Sequence, residues 1–297
     1  MLKSMLNWTI GLLKNNRGIL SICFLFISSL LMAQGEKNLV VLHLNDTHSR
    51  IEPLPANDKR NPNKGGVIRQ NAYIEEVRKD MKNVLLFHCG DFVQGTPYFN
   101  MFKGDAEVSV MNFMKYDAAC LGNHEFDYGL EFLAGMLQKA EFPIIATNLD
   151  FSGTPVSGLT KNYEIVYRED IKIGIIGVCV SPQNLVAKQN YEGMKYLDPV
   201  ESANKAAAFL KDEENCDLVI CLSHLGYFPS ENEMGDITLA KESRNIDMIL
   251  GGHSHTFLEH PDRRLNLDGE EVVINQMGGL GIYVGRLDII MEKEKLE

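Results

Sequence analysis

From residue 39 onward, short apolar runs rich in β-branched residues alternate with longer stretches of helical period, and this restricts the chain to a layered α/β sheet. The runs are LVVLHL (39–44), NVLLFH (83–88), DAACL (117–121), PIIAT (143–147), KIGIIGVCV (172–180), DLVICL (217–222) and DMILG (247–251). Between them the apolar spacing predicts helices over 66–81, 107–114, 129–140 and 200–212; in the last, Ala203, Ala206, Ala207 and Leu210 share one stripe. The tail EVVINQMGGLGIYVGRLDIIMEKEKLE predicts two strands around a glycine turn. Its GGLGIYVG is a poor dinucleotide fingerprint, because it enters a strand and no helix. No internal repeat, low-complexity tract or long linker divides the chain, and PLPANDKRNPNKGG (53–66) is loop by composition. One domain over 34–297 is expected.

The start of the chain is different in kind. Lys3, Lys14 and Arg17 precede an apolar stretch over 19–33 that ends in LLMAQG, the pattern of a secretory leader, with cleavage expected after Ala33. Left uncleaved, 1–33 would act as an anchor, although that stretch is short for spanning a bilayer. A secreted or periplasmic protein is expected, touching a membrane only through an uncleaved leader. The net charge of −11 becomes more acidic when the leader's three cations are removed. Such a balance argues against a nucleic-acid partner and suits the binding of cations. Outside the leader stand Cys89, Cys120, Cys179, Cys216 and Cys221, an odd number lying mostly in strand-like runs. They are expected as buried small hydrophobes and not as a disulfide framework.

Chemistry collects at the ends of the runs. Five of them lead into a residue able to ligate a metal: Asp46 with His48, Asp91, Asn123, His224, and the pair His253 and His255. Each alone is an ordinary turn or cap, but ligand types at the same end of five strands are hard to assign to chance, since open α/β sheets build their sites beyond the carboxyl ends of strands. Carboxylate, imidazole and amide oxygen, with no thiolate required, suit zinc, manganese or iron. Seven ligands exceed what one tetrahedral ion takes, whereas two ions sharing a carboxylate would use them all. Asp91 is the natural bridge, because Gly90 before it lets the backbone turn sharply.

The segment LGNHEFDYG (121–129) crowds Asn123, His124, Glu125 and Asp127 together. Glu125 is expected as a helix first-turn residue in preference to an acceptor for a ligating histidine, and Phe126 as core. Asn45 opens a nominal glycosylation sequon, discounted because it abuts Asp46. His43 and His88 sit inside strand runs, where packing is the expected role.

Taken in order, LNDTHSRIEP, GDFVQGTP, LGNHEFDYG, CLSHLGY and GGHSHTF resemble the motif set of the calcineurin-like metallophosphoesterases. More narrowly, with GGVIRQNAYIEEVR (65–78), they resemble the catalytic domain of the secreted 5'-nucleotidase / UDP-sugar hydrolase family. That resemblance implies an α-β-β-α metallophosphoesterase sandwich of two mixed sheets flanked by helices. It implies two divalent ions, zinc or manganese, one held by Asp46, His48, Asp91 and His255 and the other by Asp91, Asn123, His224 and His253. It makes His124 and Asp127 the catalytic dyad, and the reaction an in-line attack on a nucleotide phosphoester by hydroxide formed between the metals.

Members of that family continue into a C-terminal domain that binds the nucleotide, and this sequence stops at Glu297. A separately encoded substrate domain is therefore expected, or a broad phosphomonoesterase specificity. Cyclic 2',3'-nucleotides, UDP-sugar pyrophosphate linkages and sulfur-oxyanion esters are alternative substrates, and a metal-stabilised binding subunit is the non-enzyme alternative.

Overall fold

The apolar runs form the strands of two sheets, and the amphipathic stretches form helices outside them. The computed structural model describes residues 37–229 and 234–291, so the expected leader lies outside the described residues. Its first half runs β1 (Lys37–Leu44), α1 (Val67–Asp80), β2 (Val84–Cys89), α2 (Pro97–Phe102), α3 (Asp105–Met114), β3 (Ala118–Cys120), α4 (Leu130–Leu137), β4 (Ile144–Ile145) and β5 (Leu149–Asp150). Its second half runs β6 (Tyr163–Arg168), β7 (Ile171–Cys179), β8 (Lys195–Tyr196), α5 (Pro199–Ala208), β9 (Leu218–His224), α6 (Asp236–Glu242), β10 (Met248–Leu250), β11 (Asp262–Leu265), β12 (Glu271–Asn275) and β13 (Gly285–Met291). Leu39–Ile289 form one compact unit; of the remainder only Lys37, Asn38, Ile290 and Met291 are described.

One sheet has the order β13-β1-β2-β3-β4 and the other β11-β12-β10-β9-β7-β6, with β5 and β8 paired separately. Strands β1 to β4 run parallel, as do β7, β9, β10 and β12, while β6 and β11 are antiparallel edges. Every residue of β2 is buried, as expected for a parallel strand covered on both faces. Strands β2 and β3 pack on β7 and β9, α5 lies against β7, and α6 against β11 and β12. This is the expected α-β-β-α sandwich. The parallel runs aim the carboxyl ends of β1, β2 and β3 in one sheet and of β9 and β10 in the other at a shared edge.

Local signals place the helices. In α5, Asp198 accepts a hydrogen bond from the Glu201 N–H at 2.8 Å and Pro199 occupies the first turn, so the helix starts one residue before the expected span. Past Ala208 the expected helix continues as a π turn over Phe209–Glu213. Helix α2 was not anticipated, although Thr96, which caps it, and Pro97 carried the signal. Strands β6 and β11 were also not anticipated, because half-buried edges lack an apolar run. The five cysteines are free and buried, and His43 and His88 are packed inside β1 and β2, as expected.

Candidate metal centre

The loops that follow the strands bring all seven expected ligands together, and they do so with a costly backbone. Asp46, His48, Asp91, His253 and His255 take left-handed conformations, with φ between 47° and 71°. Such geometry costs a non-glycine residue ~1–3 kcal/mol and survives only where the surroundings over-determine it. Here the loops pin one another: the Asp46 N–H donates to Gly90 O at 3.0 Å, the His48 N–H to Asp91 O at 3.0 Å, and the Leu280 N–H to Asp46 O at 2.7 Å. The His253 N–H in turn donates to the Asp46 carboxylate, 3.0 Å from Oδ2.

Ligand-type atoms then converge in overlapping groups: Asp46 with His48 and His255, Asp91 with His224 and His253, and His48 with Asp91 and His124. Asp46 Oδ1 lies 3.2 Å from His255 Nε2, and His48 Nε2 lies 3.0 Å from the same nitrogen. Asp91 Oδ2 stands between the groups, 3.9 Å from His48 Nε2 and 3.1 Å from His224 Nε2. Asn123 lies in the loop after β3, one residue before the His124 N–H that donates to Asp91 Oδ1.

The donor set fits divalent cations. His224 Nδ1–H donates to Cys89 O at 2.7 Å, which leaves Nε2 as the nitrogen facing Asp91 and the site. That nitrogen is buried and, despite its nearness to Asp91, makes no hydrogen bond. Asn123 Oδ1 is likewise a buried acceptor with no protein donor. Lone pairs from carboxylate, imidazole and amide facing one another need a positive charge between them.

The carboxylates draw positive charge toward this place. Burial would raise the Asp91 carboxyl, yet His224 and then His124 and His48 together hold it well below the usual carboxylate range. Burial would depress His224, yet Asp91, with help from Asp46, holds its ring up at about 10. The thiols of Cys89, Cys120, Cys179 and Cys221 are pushed well above their ordinary range by burial, which keeps them out of ligand chemistry.

Beside this centre, His124 Nδ1 lies 2.8 Å from Asp127 Oδ2. The His124 N–H donates to Asp91 Oδ1 at 2.9 Å, tying the pair to the expected bridge. Its pKa is pushed up to about 9, chiefly by the hydrogen bond to Asp127 and against burial. With Nδ1 engaged, Nε2 is the nitrogen left for the pocket. Asn190 Nδ2 donates to Asp127 O at 2.6 Å from far along the chain, and no local motif announces it.

Glu125 stands in the first turn of a short 3-10 helix, as expected, but its carboxylate does more than face that helix end and receives no histidine. It accepts the N–H groups of Asp91 at 3.0 Å, Phe92 at 2.9 Å and Gly122 at 2.6 Å, clamping the loop after β2 to the loop after β3. Four N–H donors, counting Val93 at 3.3 Å, need an acceptor there, and only tertiary proximity reveals it. Phe126 is core, as expected. Asn45 is 2% exposed and braces Asp46 Oδ2 at 2.7 Å, so its sequon is sterically closed.

Comparison with known proteins agrees with this fold. The family model described as calcineurin-like phosphoesterase matches residues 39–257, and the chain belongs to that family. Within it, the chain is 32% identical to the snake venom 5'-nucleotidase of Naja atra over 278 residues, covering 87% of this chain and 51% of that protein. Its fold superposes with TM-score 0.78 and 34% identity on a 5'-nucleotidase precursor from Thermus thermophilus, covering 86% of this chain and 52% of that one. The calcineurin-like phosphoesterase YfkN of Bacillus subtilis aligns at TM-score 0.71 and 29% identity, covering 87% and 86%. The chain spans about half the length of the curated relatives it matches.

Proposed function

We propose that this chain is the catalytic part of a metal-dependent phosphoesterase that removes phosphate from 5'-nucleotides. In this reading one divalent ion, zinc or manganese, is held by Asp46, His48, Asp91 and His255, and a second by Asp91, Asn123, His224 and His253. The observation that carries it is the placement of Asp91 Oδ2 between His48 and His224, beside the His124–Asp127 pair. Similarity to 5'-nucleotidases supports the substrate class.

A pair of such cations, when bound, supplies neutralisation of phosphoryl charge and a water acidic enough to attack phosphorus in line. The chain's own residues do the rest. Asp127 accepts a hydrogen bond from Nδ1–H of His124 and fixes the ring so that Nε2–H points at the phosphoryl group. From there it donates a hydrogen bond to the phosphoryl oxygens or passes its proton to the departing nucleoside 5'-oxygen, a role worth ~10²–10⁴ in rate. Glu125 acts through the backbone, keeping the loops of Asp91 and Asn123 in register. We further read 34–297 as the catalytic domain, 1–33 as a leader and the protein as secreted or periplasmic; among the described residues no helix is long and apolar enough to cross a membrane. Nucleoside recognition is assigned to a further substrate domain.

Phosphate release from AMP and from an aryl phosphate, with and without added zinc or manganese, tests this. Metal-dependent hydrolysis of both is expected. No release from either at saturating metal would overturn the reading, and strong selectivity for AMP would move nucleoside recognition into these residues.

A further inference from the structure

Among the described residues, eleven buried side-chain nitrogen and oxygen atoms have no protein hydrogen-bond partner, and five of them belong to residues lining one small chamber. They are Ser49 Oγ, Arg50 Nε, His88 Nδ1 and both carboxylate oxygens of Glu107. Ser49, His88 and Glu107 are at most 3% exposed, so bulk solvent does not serve them. A buried unsatisfied polar group costs ~1–3 kcal/mol, and more when charged, so five in one place require an occupant.

The chamber decides which occupant. It offers about 30 Å³ to the centres of water molecules; one water needs ~10–15 Å³ of such space. Arg50 presents an N–H donor and repels a metal cation, while Glu107 presents acceptors and repels an anion. Water both accepts and donates.

We propose that this chamber is a built hydration site whose one or two waters accept from Arg50 Nε–H, donate to the Glu107 carboxylate and reach Ser49 Oγ and His88 Nδ1, positioning the Asp46–His48 loop. The link to that loop is short. His88 Nε2 lies 3.0 Å from Thr47 Oγ1, and Thr47 stands between the two proposed ligands. Ser49 and Arg50 continue directly from His48, and Ser49 O is held from the other side by Thr96 Oγ1 at 2.8 Å. Burial keeps His88 neutral, with its pKa lowered to about 3, so one ring nitrogen donates while the other accepts. The waters select which, and with it the direction of the Thr47 hydroxyl. Glu107, in α3 and remote in sequence from every motif, becomes a positioning residue for the metal loop. The hydration site stands independently of the proposed activity; only the effect on the loop rests on reading Asp46 and His48 as ligands.

A high-resolution crystal structure of the zinc-loaded protein tests the first part. Ordered water within hydrogen-bond reach of both Arg50 Nε and Glu107 is expected, and a dry chamber closed by direct contact between those side chains would overturn it. Zinc titration of Glu107→Leu and Glu107→Gln tests the second. Affinity for the ion held by Asp46, His48 and His255 should fall about tenfold in the leucine variant, with most of the loss recovered in the glutamine variant. Unchanged affinity in a folded Glu107→Leu protein would overturn the positioning role. Should that variant not fold, Ser49→Ala, which removes one chamber partner, is expected to lower the same affinity, and no change there would overturn it equally. Both readouts are made without substrate, so failure of the nucleotidase reading is recognised separately.

Discussion

His124 reaches the centre through its backbone and the substrate side through its ring, so the two contributions separate on substitution. Replacing it with alanine keeps the N–H that donates to Asp91 Oδ1 and removes the imidazole. Turnover on AMP is expected to fall by ~10²–10⁴ while the metal content of the purified protein stays the same. Loss of metal together with activity would make His124 a ligand in the group it forms with His48 and Asp91. His43 gives a prediction about stability. It is fully buried, and desolvation lowers its pKa from 6.5 to about 3. Below pH 6.5 the unfolded chain takes up a proton that the folded protein refuses. Stability from this residue is therefore complete above pH 6.5 and is lost as pH falls toward 3, at up to ~1.4 kcal/mol per pH unit. In His43→Gln the dependence of unfolding free energy on pH between about 4 and 6 should be shallower by about that amount, as urea titrations would read; an identical slope would place the proton elsewhere.

Among the elements, the turn from β3 into the 3-10 segment has little freedom. Gly122 precedes Asn123, and a methyl on it would overlap Asp91 Oδ1 and His224 Nε2. Gly252, next to His253, is similarly crowded by Cys89 O and His224. Gly122→Ala is accordingly expected to lower affinity for the metal between Asp91 and His224 at least tenfold and to cost ~1–3 kcal/mol of stability through overpacking. Calorimetric zinc titration showing two ordinary sites in that variant would refute the packing seen here. Much at this scale was legible beforehand. The buried parallel strands declared themselves as unbroken apolar runs, and four helices fell close to their expected spans. Strand β9, however, runs on through Ser223 to His224, since the polar residues at its end are buried, Ser223 against Asp236 and His224 in the centre. Periodicity registers apolar burial and is blind to that.

For the whole molecule, the centre joins two sheets. Asp46, His48, Asp91 and Asn123 come from one, His224, His253 and His255 from the other. Cations bound there would hold together loops whose left-handed backbones and clustered carboxylates are unfavourable alone. A ligand present at ~100 times its dissociation constant stabilises by ~2.7 kcal/mol, worth roughly 5–10 °C in a domain of this size. Chelation should lower the melting temperature by about that much, and zinc or manganese should restore it. A melting curve indifferent to chelator and metal alike would leave the sheets held by their packing only and the ligand set without an ion.

Local order was enough to determine the layered α/β class and the strand tips that carry Asp46, Asp91, Asn123 and His224, because runs and turns are written in consecutive residues. Tertiary structure alone decided that Asp91 Oδ2 stands between His48 and His224, that Glu125 binds backbone amides of another loop, and that Glu107, Arg50 and His88 line one chamber. Those relations join residues tens to hundreds of positions apart, and they exist only once two twisted sheets have packed and fixed which strand ends meet.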